Sequence, residues 1–239
     1  MLSNQKISLV TVATDPNKNT FKMWEKTVRK AGWQNNYKVL GLNQKWQGWS
    51  WRCKILSEYC GKLNYEDIVL ICDSYDLLVF GSMDEVNQLY KKSQTDIIFG
   101  VESACGVNCE KPIKPGISLN AGCLKGKAGV LSKAYDWIGK NHSDDQMGWY
   151  NYLQKSKNIT YTFDKEQNLV INYQYGSLND IGKKTYYLPE ICKEYFIGVL
   201  FPKITRKYLK IDKNNRPTTI NNIKPIMVHL PCSRYDHNM

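Results

Sequence analysis

Apolar positions in the first half of the chain switch repeatedly between two periods. Ile7 to Ala13 is a short β-branched run closed by Thr14, Asp15, Pro16 and Asn17, a turn composition, and it predicts a strand. From Thr20 to Lys30 the residues Phe21, Trp24 and Val28 recur at helical spacing, with Gly32 placed to end the helix. A second short strand is expected over Tyr37 to Gly41, then a Trp- and Gly-rich loop from Asn43 to Ser50 and a helix over Trp51 to Tyr59. Ile68 to Cys72 is apolar without alternation, the pattern of a strand buried on both faces. A helix over Met83 to Lys92 and a strand over Thr95 to Val101, ending in Glu102, follow. Strands alternating with helices at this spacing predict βαβ units and a largely parallel sheet.

The second half is less regular. Glu102 to Gly116 carries Gly106, Pro112, Pro115 and Gly116 and is expected to be loop. Ile117 to Leu124 reads as a strand whose Gly122 lets backbone or ligand come close. Lys127 to Lys140 is helical in pattern. Ser143 and Gln146 have the spacing of a capping box for a helix that runs to about Leu153. Short strands and loops are expected from Asn158, and Ile226 to His229 is a last apolar strand ending in a histidine. With no internal repeat, low-complexity segment or linker, residues 1–239 read as one α/β domain.

Composition narrows the class. Hydrophobic content of 42 % and charged content of 23 % are those of an ordinary globular protein. No apolar run approaches the roughly 20 residues of a membrane-spanning helix, and Ile7 to Ala13 is too short and wrongly flanked for a signal peptide. As given, the chain is expected to be cytoplasmic, or a domain cut from something longer. The 8 cysteines form no disulfide framework; Cys72, Cys123 and Cys232 sit in surroundings that suit small buried hydrophobes. Cys105 and Cys109 lack the second pair or histidine cluster of a zinc set. The net charge of +11 is concentrated between Lys183 and Arg216, where nine Lys/Arg face three acidic residues. Such a stretch is either a solvated face or an attractor for an anionic partner, with nucleic acid not expected.

The candidate chemistry lies where the buried run Ile68 to Cys72 stops. Asp73, Ser74, Tyr75 and Asp76 follow it directly, and ligands of open α/β sheets sit beyond the carboxyl ends of the strands. Two hard oxygen donors there suit Mg²⁺ or Mn²⁺, ions that commonly hold phosphates as well. The same residues also suit a simple turn cap.

A set of short motifs in fixed order tips that balance. Val10-Thr-Val-Ala-Thr14, Leu40-Gly-Leu-Asn-Gln-Lys-Trp46-Gln-Gly48, Asp73-Ser-Tyr-Asp76, Val101-Glu-Ser-Ala-Cys105, Leu119-Asn-Ala-Gly122, Asp144-Asp-Gln146 and Val228-His229 span nearly the whole chain. Together they resemble the glycosyltransferase domain of procollagen lysyl hydroxylases and, more distantly, the collagen galactosyltransferases. The resemblance implies an α/β fold of GT-A type, a Rossmann-like mixed sheet flanked by helices that binds a UDP-sugar with Mn²⁺. It implies Asp73, Asp76 and His229 as metal ligands, and Val12, Ala13 and Thr14 against uracil and ribose. Tyr75 would meet the base or ribose, or serve as a core tyrosine. Lys54 would neutralise a phosphate, Asn120 and Gly122 would touch the donor sugar, and Glu102, Asp144 and Asp145 would serve sugar and acceptor. Two departures stand out. Gly106 replaces the family's Trp, and Leu230-Pro-Cys-Ser-Arg234 replaces its Gly-Asn-Gly and lysine, leaving Arg234 as the substitute cation.

The implied reaction is metal-dependent transfer of glucose or galactose from UDP to hydroxylysine or galactosyl-hydroxylysine of a collagen-like protein. A lipopolysaccharide-type glycan is the alternative acceptor. The rival class is a non-catalytic module binding an anionic polymer through its basic face.

Overall fold

The computed structural model describes residues 5–102, 118–172, 209–211, 216–219 and 222–229. Its first half alternates as expected apart from one added short strand, β4: β1 (Ile7–Val12), α1 (Asn19–Lys30), β2 (Tyr37–Leu40), α2 (Trp49–Cys60), β3 (Ile68–Cys72), β4 (Leu77–Val79), α3 (Met83–Ser93) and β5 (Ile97–Glu102). Then come β6 (Ser118–Lys127), α4 (Ala128–Asn141), α5 (Asp145–Lys155), β7 (Tyr161–Phe163), β8 (Val170–Asn172), β9 (Leu209–Ile211), β10 (Pro217–Thr219) and β11 (Met227–His229).

A six-stranded sheet has the order β2-β1-β3-β6-β5-β7. β1 runs parallel to β2 and β3, and β5 parallel to β7, but β6 is antiparallel to both of its neighbours. The sheet is therefore mainly parallel, as expected, and mixed through β6 alone. β6 pairs directly with the strand preceding it in sequence, and antiparallel neighbours need no helical crossover. Hydrophobic pattern carries no information on direction. A three-stranded sheet, β4-β11-β8, and the β9–β10 pair complete the strands among the described residues.

Successive residues of a strand face opposite sides, so β3 feeds two cores. Val69 and Ile71 pack with Leu56 of α2, Leu131 and Ile138 of α4 and Trp149 of α5. Leu70 and Cys72 pack with Phe21, Trp24 and Val28 of α1, with Trp33, and with Val86 of α3. All five residues of β3 are buried, as its unbroken apolar run predicts. Burying side chains of this size contributes roughly 1.5–3 kcal/mol each. Cys72 and Cys123 are buried free thiols. Gly32, just past the end of α1, has φ of 88°, the left-handed geometry expected of a residue that ends a helix.

Asp164 and Lys125 are among the polar residues buried in this frame. The Asp164 carboxylate accepts from the backbone N–H of Asn168, Leu169 and Val170 and so fixes the turn into β8. On β6, the Lys125 ammonium lies 3.9 Å from the centre of the Tyr90 ring, and burial pushes its pKa down to about 7.

Candidate active site

Asp73 and Asp76 occupy the turn between β3 and β4, and His229 ends β11. One ligand atom from each lies within 4.8 Å of the others. His229 Nε2 is 3.6 Å from Asp73 Oδ2 and 3.5 Å from Asp76 Oδ1. The backbone delivers all three. Asp73 N–H still donates to Gly122 O at 2.8 Å, which holds the residue at the end of the large sheet. β4 then leaves to pair with β11, setting Leu77, the neighbour of Asp76, opposite His229.

The strand β6 is adapted to this point. Its register against β5 jumps from Phe99↔Leu124 to Gly100↔Asn120, a bulge that re-aims Asn120 to Gly122. A Cβ on Gly122 would stand 2.3 Å from Asp73 Oδ2, 2.8 Å from His229 Cε1 and 2.9 Å from Asn120 Oδ1. Only hydrogen fits there. Gly122→Ala is therefore expected to cost about 1–3 kcal/mol of stability through overpacking. Thermal melting checks this, and an unchanged melting temperature would mean that the cluster can expand without loss.

A cation completes the cluster. Arg52 of α2 is 3 % exposed; its Nη2 donates to Asp73 Oδ1 at 3.0 Å and its Nη1 donates to Asp145 Oδ2. Burial opposes the guanidinium charge, but the carboxylates of Asp145 and Asp73 outweigh it and hold the proton more firmly than usual. Burial pushes the Asp73 carboxyl up to about 6, with Asp76 adding to the rise and Arg52 and His229 opposing it. Burial also raises Asp145, against the pull of Arg52. One guanidinium thus meets two carboxylates, Asp73 and Asp145, while Asp76 adds negative charge beside Asp73, and the excess favours a further cation. With 30 % of its side chain open, Asp73 is reachable from outside.

The donor set fits a hard-to-borderline divalent ion: two carboxylates and an imidazole, in a pocket that Gly122 keeps clear.

The other expected site residues are placed as follows. The half-buried Tyr75 hydroxyl accepts from the backbone N–H of Thr14 at 3.0 Å and of Asp15 at 2.9 Å, tying the Asp73–Asp76 turn to the end of β1. Thr14 therefore lies beside the cluster's own turn, next to the buried Val12 and Ala13. Asn120 is buried, 2 % exposed.

Lys54 is exposed on α2, two residues from Arg52 and so about 200° around the helix from the side chain that reaches Asp73. Of these two basic residues of α2, Arg52 is the one that reaches the cluster. Nothing in their pattern separates the two, because both are basic residues of one helix and only packing decides which faces inward. Asp145 is engaged by Arg52 and buried. Asp144, not Ser143, is the N-cap of α5, its carboxylate accepting from Met147 N–H at 2.8 Å. Asp is as good a cap as Ser, so the pattern could not separate them. Gln146 instead accepts from Ala121 N–H at 3.4 Å.

Of Glu102 the backbone is described, ending β5 opposite Ser118. Arg234, Cys105, Cys109, Cys232, Gly106 and most of the basic stretch from Lys183 lie outside the described residues. Beside the cluster, Trp46 and Trp49 are exposed, and the Arg52 guanidinium lies 5.7 Å from the centre of the Trp49 ring. No helix among the described residues is long and apolar enough to cross a membrane.

The sequence profile of the PLOD GT domain matches residues 3–186. Procollagen-lysine,2-oxoglutarate 5-dioxygenase of Drosophila melanogaster is 27 % identical over 202 residues, which covers 76 % of this chain. The match takes in only 27 % of that longer protein. Among solved structures, a glycosyltransferase involved in the glycosylation of the major capsid of PBCV-1 aligns with 73 % of this chain and 87 % of its own, at 13 % identity and a TM-score of 0.44. The chain belongs to the PLOD GT domain family, the glycosyltransferase domain of lysyl hydroxylases, and carries its mixed α/β fold of GT-A type.

Proposed function

We propose that this glycosyltransferase moves glucose or galactose from a UDP-sugar to hydroxylysine or galactosyl-hydroxylysine of a collagen-like polypeptide, with Mn²⁺ held by Asp73, Asp76 and His229. The observation that carries the reading is the convergence of those three ligand atoms within 4.8 Å from distant parts of the chain. Asp73, Asp76 and His229 would hold the cation, whose chemistry there would be Lewis-acid stabilisation of the negative charge on the departing UDP.

The chain's own residues supply the rest. Thr14, with its backbone held by the Tyr75 hydroxyl, presents the end of β1 to the nucleoside. Arg52 keeps Asp73 ionised and turned toward the cluster while adding positive charge near the phosphates. Asn120 and Gly122 border the space left for the donor sugar. Asp144 is exposed, and one of its oxygens is free of the Met147 cap contact to orient an acceptor hydroxyl or take its proton.

The test is UDP release from a panel of UDP-sugars, with Mn²⁺ or EDTA, and with or without a hydroxylysine peptide. The expected result is peptide-stimulated release from UDP-glucose or UDP-galactose that EDTA abolishes. Release that ignores EDTA would overturn the metal role, and release that ignores the peptide would overturn the acceptor.

A further inference from the structure

We infer that Asn172 is a positioning residue that locks His229 in one tautomer and aims its Nε2 at Asp73 and Asp76. Asn172 ends β8, and the parallel pairing of β8 with β11 sets it abreast of His229. Both side chains are buried, 4 % and 2 % exposed. Asn172 Oδ1 and His229 Nδ1 are 2.7 Å apart.

Two heteroatoms at that distance need one proton between them, and the surroundings of the amide decide who brings it. Asn172 Nδ2 donates to the backbone carbonyl of Val101, on β5, at 2.9 Å. A carbonyl oxygen only accepts, so the amide nitrogen must face Val101 and the amide oxygen must face the histidine. His229 Nδ1 therefore carries the hydrogen and donates. In a neutral imidazole the other nitrogen is then an acceptor, and here that is Nε2, the atom 3.5–3.6 Å from the two aspartates. The opposite tautomer would turn an N–H toward the position a cation would take.

The contact also fixes the ring's rotation. His229 stands on a three-residue strand, and Asn172 links it to β5 of the large sheet through Val101. The Asp164 carboxylate, bonded to three backbone N–H groups just before β8, holds the start of that strand. Hydrogen bonds thus hold β8 at its start through Asp164 and at its end through Asn172, which meets the outer nitrogen of the imidazole. Such partners on the outer nitrogen of a ligating histidine commonly change metal affinity 10- to 100-fold. Asn172 has this role only if Asp73, Asp76 and His229 hold a divalent cation, the reading given above.

The experiment titrates Mn²⁺ alone into the full chain and reads free Mn²⁺ by EPR, for the wild type, Asn172→Leu, Asn172→Asp, His229→Ala, Asp73→Asn and the Asn172→Leu/His229→Ala pair. Asn172→Leu is expected to weaken binding about 10- to 100-fold, and Asn172→Asp, which keeps the acceptor oxygen, to restore most of it. The double variant should bind no more weakly than His229→Ala, because Asn172 acts through that ring. Wild-type affinity in Asn172→Leu with weak binding in His229→Ala would overturn the positioning role and leave the metal site standing. Wild-type affinity in both His229→Ala and Asp73→Asn would overturn the metal site and the inference with it. Should Asn172→Leu fail to fold, ¹⁵N-histidine NMR of the wild type near pH 8 decides the matter without a variant at Asn172. An Nδ1–H signal for His229, assigned by its loss in His229→Ala, is expected, and an Nε2–H signal overturns the inference.

Discussion

Asp73→Asn is expected to lower UDP-sugar turnover by roughly three orders of magnitude, about 4 kcal/mol of transition-state stabilisation. The substitution keeps an oxygen for Arg52 Nη2, now 3.0 Å from Oδ1, so the local hydrogen bond survives. What disappears is a negative charge shared by the proposed cation site and the guanidinium. The fold should tolerate the change well. Asp73 is already pushed toward its neutral form by burial and by Asp76, so removing its charge relieves as much repulsion as it forfeits attraction. Thermal melting without metal should stay close to wild type, while the rise in melting temperature on adding Mn²⁺ and UDP should vanish. Turnover within tenfold of wild type would exclude Asp73 as a ligand. A collapse of stability in the metal-free protein would make it a structural residue instead.

Arg52→Ala should have the largest effect on stability. It strands the Asp145 carboxylate, 6 % exposed, without the guanidinium that neutralises it. Breaking one side of a buried ion pair costs about 3–5 kcal/mol. For a chain of this size that lowers the melting temperature by roughly 6–20 °C.

The pH dependence has a definite sign. Burial already raises the Asp145 pKa with Arg52 present, and without Arg52 the rise must grow. A carboxyl whose folded pKa lies above its unfolded value binds more protons in the folded state, so its penalty is full at high pH. That penalty fades as pH falls through the folded pKa. The deficit of Arg52→Ala should therefore shrink on acidification, and adding Asp145→Asn should recover a good part of it at neutral pH. Melting curves between pH 5 and 8 for the single and double variants test this. A shift under about 2 °C for Arg52→Ala, or a deficit that grows toward acid, would show that the pair does not bear on the fold.

Sequence alone determined most of the elements of the first half, though not the short strand β4, and where the acidic turn of the candidate site lies. The unbroken apolar run Ile68 to Cys72 can only be a strand covered on both faces, and the acidic turn after it must emerge at a strand end. Helix periodicity placed α1, α3 and α4 to within a residue or two, because a helix that buries one stripe writes that stripe at 3.6-residue spacing. α2 is different. Its apolar residues lie around most of its circumference, so nothing in its pattern says that Arg52 points inward and Lys54 outward. Strand direction was equally silent, since an apolar strand reads the same whether β6 runs with or against β3.

The tertiary structure decided what touches what. His229 meets Asp73 and Asp76 because β11 enters between β4 and β8 in one register, and a slip of one residue would turn its side chain to the other face. Asn172 reaches that histidine by the same register, and Asp145 meets Arg52 across two helices far apart in the chain. Periodicity records which residues are buried. Which buried partner stands opposite is a property of long-range pairing, and it exists only once the sheets have closed.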